Sequence, residues 1–161
     1  QLQVGPDELS DKIVKLLDAQ TDAQSERADA NLYYAHNQFE SAITGATEIL
    51  GVPYMAARVN VADASLLRTM TDWYSERYPD GVVIIGAQID SRVSVVVRVS
   101  KNLTERGLHA GNLAAHISKQ VGGRGGGTPT LAQGGGKQIS RLDSALSQAE
   151  ELVGTVLREN N

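Results

Sequence analysis

Residues 7–44 carry a helical pattern of apolar and polar positions. Leu9, Ile13, Leu16 and Leu17 share one face. A polar stretch from Gln20 to Asn31 follows, and then Leu32, Ala35, Phe39, Ala42 and Ile43. A stripe that fades midway predicts two helices or one bent helix rather than a sustained coiled coil. Gly45, Gly51 and Pro53 punctuate the exit and set a boundary near residue 45. Residues 1–45 are accordingly read as a helical segment, either a spacer or an oligomerisation subdomain, and residues 46–161 as a globular domain.

Beyond that boundary the period changes repeatedly. Tyr54–Asn60 is a candidate strand. Asp63 is placed to cap a helix whose Leu66, Leu67, Met70, Trp73 and Tyr74 share a face, ending before Pro79. Val82–Ile89 is a nearly continuous apolar run, the mark of a buried strand. Across Asp90-Ser91, the segment Arg92–Ser100 alternates with period two: Val93, Val95, Val97 and Val99 face one way and Arg92, Ser94, Arg98 and Ser100 mostly the other. That alternation predicts an antiparallel partner with one face open to solvent or ligand. Leu108–Val121 reads as a helix, a glycine-rich loop follows, and Ser140–Arg158 reads as a closing helix. Ser140 and Asp143 form its candidate capping box, and Leu142, Leu146, Ala149, Val153, Val156 and Leu157 point inward. The order predicts an α+β fold: an N-terminal helical segment, then a mixed sheet packed with helices and carrying the glycine-rich loop.

That loop concentrates the chain's unusual chemistry. Eight of the 16 glycines fall between Val121 and Gly136. Glycine is favoured where φ must be positive or where something approaches the main chain closely. Main-chain N–H groups of Gly122, Gly123, Gly125, Gly126 and Gly127 could form a nest for a phosphate, or the glycines could serve helix-to-sheet packing. At a positive φ, replacing Gly126 with valine would be poorly tolerated. A Walker motif is excluded, because Gly136-Lys137-Gln138 lacks the hydroxyl residue after the lysine.

Charge sharpens this picture. The 161-residue chain has a formal net charge of −4, yet residues 91–141 hold eight basic side chains against one acidic, a local +7. Phosphate binding depends on the local field rather than the total. Arg124 within the glycines, Lys119 before them, Lys137 after them, and Arg98 with Lys101 at the hairpin's end form the candidate phosphate footprint. Gln133 offers a donor and an acceptor beside the loop. Should the glycines serve only packing, the face bearing Arg92 and Arg98 is the alternative surface.

The same residues carry a family resemblance. Val121-Gly122-Gly123-Arg124-Gly125-Gly126-Gly127-Thr128-Pro129-Thr130-Leu131-Ala132-Gln133-Gly134-Gly135-Gly136 resembles the glycine-rich signature of the C-terminal domain of bacterial alanyl-tRNA synthetases, one of the DHH-associated domains. Val52–Val59, Val82–Gly86, Val99–Thr104 and His109–Gly111 match in the family's order. Thr128, Thr130 and Leu131 depart from the arginine, aspartate and methionine common there. The resemblance implies a module that grips the outer corner (elbow) of tRNA and brings aminoacylation and editing onto one tRNA. ATP, magnesium and zinc are implied for other domains of the parent enzyme, with no cofactor in this segment. Implied partners are tRNA and those other domains. Alternatives are an oligomerisation module, with residues 7–44 pairing between copies as a homodimer, and an accessory nucleic-acid-binding domain of a DHH-type phosphoesterase.

The remaining chemistry is sparse. With no cysteine there is no disulfide or thiolate site. His109 and His116 lie seven apart, the wrong spacing for a paired metal site. Tyr33 and Tyr34 could stack on RNA bases, but core or helix packing is the preferred reading. No Ser-His-Asp order or paired carboxylate emerges, so the segment is expected to be non-catalytic. The chain opens without Met and without a basic-then-apolar leader, and no apolar run spans a bilayer. The expectation is a cytoplasmic fragment with no membrane partner.

Overall fold

A computed structural model describes residues 5–160. The chain divides into two compact units, one ending at Tyr34 and the other beginning at Ala35. Both contribute to a single helix, α1 (Pro6–Ile43), where two helices or a bent one were the expectation. Among the described residues of the first unit, Leu9, Ile13, Val14, Leu16 and Leu17 are all exposed.

The second unit is built on a six-stranded sheet. Its strands are β1 (Thr47–Ile49), β2 (Val52–Val59), β3 (Val82–Ile89), β4 (Arg92–Val99), β5 (Gly123–Gly127) and β6 (Leu131–Gly136), in the spatial order β1-β2-β3-β4-β6-β5. Only the β2–β3 pair is parallel. The helices are α2 (Ala64–Arg77), the single turn α3 (Lys101–Thr104), α4 (Ala110–Gln120) and α5 (Leu142–Glu159), the last preceded by a 3-10 turn at Ile139–Arg141. The α+β architecture expected from the pattern is the one observed. Neither β1 nor α3 was anticipated, since three or four residues are too few to show a period.

The alternation along the strands sorts two cores. On one face, Val52, Tyr54, Val82, Ile84, Val93, Val95, Val97 and Val99 pack against α4 and α5, which bring in Leu113, Ile117, Leu142, Leu146, Ala149, Val153 and Leu157. On the other, Met55, Val83, Ile85, Ala87 and Val96 meet Leu67, Met70 and Tyr74 of α2 and Ala35 and Phe39 from the last turns of α1. Val96 is therefore buried on the face of β4 expected to be polar. Asp63 caps α2 as anticipated, its side chain accepting from the Ser65 N–H. Ion pairing from Arg77 to Glu40, 3.0 Å, fastens the end of α1 to α2, with the Arg77 guanidinium also over the Phe39 ring. Hydrogen bonding from Arg77 holds the Glu40 carboxyl below its ordinary range. Burial raises both Tyr54 and Tyr74 above the ordinary phenol value, and Glu150 pushes Tyr54 the same way.

Two expectations need correction. The proposed Ser140–Asp143 capping box does not form: the α5 cap position is Arg141, with no side-chain cap bond. Asp143 instead accepts from Arg58 of β2 at 3.0 Å, because the 3-10 turn displaces Ser140 from the cap position. The glycine-rich segment is not a loop. It is a β-hairpin, β5 and β6, that extends the sheet beyond β4.

Candidate nucleic-acid interface

The hairpin forms because glycine lets α4 lie almost on its backbone. A side chain at Gly125 would come within 2.7 Å of the Ala114 carbonyl oxygen, and one at Gly134 within 2.6 Å of Gly125 Cα. Ser118, buried in α4, lies between these two glycines. At the start of α4 a side chain on Gly111 would likewise come within 2.9 Å of the Gly127 carbonyl oxygen. Gly123–Gly127 is thus extended and paired strand, not the concave anion nest that the glycine cluster suggested. Packing was the other reading of these glycines, and on the α4 side it is the correct one.

The opposite side of the hairpin is different. Register places Ser94, Gly135 and Arg124 in one row across β4, β6 and β5, and Val96, Gln133 and Gly126 in the next. Residues two apart on a strand share a face, so Arg124 and Gly126 look outward together, away from α4. Helix α2 covers the sheet from β3 to β4 on this side. Beyond its edge lies an open cleft of about 210 Å³, lined by Arg68, Val96, Gly126, Gly127, Thr128, Leu131, Ala132 and Gln133. The two alternative surfaces considered from sequence are one surface, because β6 pairs directly with the strand that bears Arg92 and Arg98.

The predicted cations do not all converge. Arg124 is exposed one residue in from the Gly123–Gly136 end of the hairpin. Lys119 is exposed in the last turn of α4 and Lys137 just after β6, both at the end where Gly123 pairs with Gly136. Gly122, with φ 74°, makes the turn into β5 over the Gln138 side chain. Lys101 lies at the other end, beside the Thr128–Thr130 turn, where the Val99 N–H donates to the Thr130 carbonyl. Those ends are about 13 Å apart at 3.3 Å per residue. Arg98 is half-buried and ion-paired with Asp72 of α2. Its charge is engaged inside the fold.

Sequence reasoning missed Arg68, Val96 and Leu131 as site residues. Arg68 is one turn from Asp72 on α2, and only the docking of that helix brings it to the cleft. Among the described residues, no group of His, Cys, Asp and Glu could hold a metal, and no helix is long and apolar enough to cross a membrane.

Comparison with known proteins agrees with this geometry. The profile of the DHHA1 domain matches residues 51–155. The chain belongs to the DHHA1 domain family. It is 34% identical over 157 residues to the alanine–tRNA ligase of Pelotomaculum thermopropionicum, and equally so to that of Bacillus subtilis. Each alignment covers 98% of this chain but 18% of the relative, so the chain spans under a fifth of the length of these proteins. The fold is similar to the crystal structure of the C-Ala domain from Aquifex aeolicus alanyl-tRNA synthetase. That match has a TM-score of 0.62 at 24% identity and covers 68% of this chain and 97% of the other. The DHHA1 match takes in the whole sheet from β2 to β6 and most of α5, and so includes every residue of the hairpin face.

Proposed function

We propose that this DHHA1 domain is the tRNA-binding C-terminal module of an alanyl-tRNA synthetase. It holds the outer corner of tRNA, where the D- and T-loops meet, and keeps one tRNA available to the aminoacylating and editing parts of the parent enzyme. ATP, magnesium and zinc belong to those other parts, and the setting is cytoplasmic. The observation that carries this reading is the uncovered β4–β6–β5 face. It presents Arg124 and Gln133, from a segment of local charge +7, to solvent together with Arg68 of α2. The relatives named alanine–tRNA ligase support the choice of tRNA as partner.

Cationic side chains on an open sheet face suit backbone phosphates, while an exposed amide suits a base edge. Binding should then be salt-sensitive and largely indifferent to tRNA identity, since an elbow is common to all tRNAs. Titrations of alanine tRNA and a second tRNA at several salt concentrations test it. Log K should fall with log salt by about 0.7–0.9 per phosphate neutralised. Affinity independent of salt overturns the electrostatic account. Arg124→Ala should lower that slope by about one.

A second reading has its own observation. The exposed row Leu9, Ile13, Leu16 and Leu17 in the first unit fits pairing between copies. Sedimentation across a concentration range distinguishes it, because tRNA binding alone requires no self-association.

A further inference from the structure

We propose that the cleft beside Gly126 seats a single unpaired nucleobase of the bound RNA, an inference that rests on the RNA-binding role above. The starting point is a glycine the fold does not need. A Cβ at Gly123, Gly125, Gly127, Gly134, Gly135 or Gly136 would come under 3.0 Å from a neighbouring atom. At Gly126 it would meet nothing within 4 Å, and φ there lies outside the left-handed region. A glycine inside a strand gives up backbone entropy and packs nothing, so it marks a position where something else comes close. Here the open side of Gly126 is the cleft itself.

The lining selects the occupant. Val96, Leu131, Ala132 and the two glycines make an apolar floor, with Arg68, Thr128 and Gln133 as its polar members. A phosphate on such a floor would lose water without enough donors to replace it. A flat base keeps its faces on apolar surface and its edge toward polar groups. Gln133 stands in the row between Val96 and Gly126, and its amide makes no hydrogen bond within the described residues, leaving a donor and an acceptor for a base edge. Arg68 adds a cation at the border, and no carboxylate lines the cleft. The nearby Asp72 is occupied by Arg98. A base stacked within a duplex presents no free face, so the seat takes an unpaired or extruded one.

The test compares single-stranded hexamers of A, C and U with an abasic ribose-phosphate hexamer and with alanine tRNA. Wild type should bind the base-bearing hexamers roughly tenfold more tightly than the abasic one. Gly126→Val, whose side chain would occupy the seat, should lose that margin and keep the abasic affinity. Its circular dichroism melt should match wild type. Gln133→Ala should narrow the spread among the three bases, and it decides the matter should the valine variant melt early. No margin in wild type, or a margin unchanged in both variants, overturns the base seat; salt-dependent tRNA binding in that case leaves the broader role standing. Wild type that binds no RNA at any salt overturns both.

Discussion

Replacing Gly125 and Gly126 one at a time with alanine separates two adjacent glycines with opposite structural duties. At Gly125 the new methyl group would press on Ser118 and sit 2.7 Å from the Ala114 carbonyl oxygen. Ser118 is fully buried and Ala114 offers main chain, so neither can yield without moving α4 off the hairpin. Overpacking of this kind costs about 1–3 kcal/mol. For a domain of this size each kcal/mol shifts Tm by about 2–4 °C, which gives an expected loss of about 2–12 °C. At Gly126 the same methyl meets open space. Removing backbone freedom from the unfolded chain should leave Tm unchanged or raise it by the equivalent of about 0.4–1 kcal/mol. Thermal melts followed by circular dichroism, with denaturant titrations as a second measure, decide it. Equal melting of Gly125→Ala and wild type, or a loss at Gly126 as large as at Gly125, would refute the assignment of one hairpin face to packing and the other to solvent.

Asp72→Asn should release the Arg98 guanidinium onto the open face and tighten tRNA binding, with a steeper salt slope in filter-binding titrations; unchanged affinity would mean that Arg98 stays out of RNA reach. Ser140→Ala should shift stability by less than about 0.5 kcal/mol, because that hydroxyl caps nothing, whereas Asp143→Ala should cost up to about 1 kcal/mol by removing the partner of Arg58 and a negative charge from the first turn of α5. Denaturant midpoints compare the two. Above about pH 10 the unfolded chain ionises Tyr54 and Tyr74 while burial keeps them protonated in the folded state. The unfolded state then binds fewer protons, so stability should fall with rising pH, by up to about 1.4 kcal/mol per pH unit for each phenol. Alkaline melts of Tyr54→Phe should show a shallower decline.

Much of this protein was legible along the chain. Helices α2, α4 and α5 carry their own period, β2 and β3 read as strands, β3 from its continuous apolar run, and the Val93–Val99 alternation announced which face of β4 enters the larger core. The resemblance of the glycine segment to a synthetase domain also needed only the order of residues. What the sequence could not show was how glycines act across strands. A run of glycine has no apolar period, so β5 and β6 looked like loop, and only their pairing with β4 reveals a hairpin. The same holds for the charges. Composition located a +7 segment, but the tertiary fold decides that Arg98 is bound to Asp72 and that Lys101 and Lys137 lie at opposite ends of the hairpin. It also decides that Arg68, from a helix 65 positions earlier in the chain, joins Gln133 at one cleft. Local periodicity follows from contacts between near neighbours, which the sequence states directly. The candidate interface is an agreement between elements distant in the chain, and it exists only once the sheet has set their register.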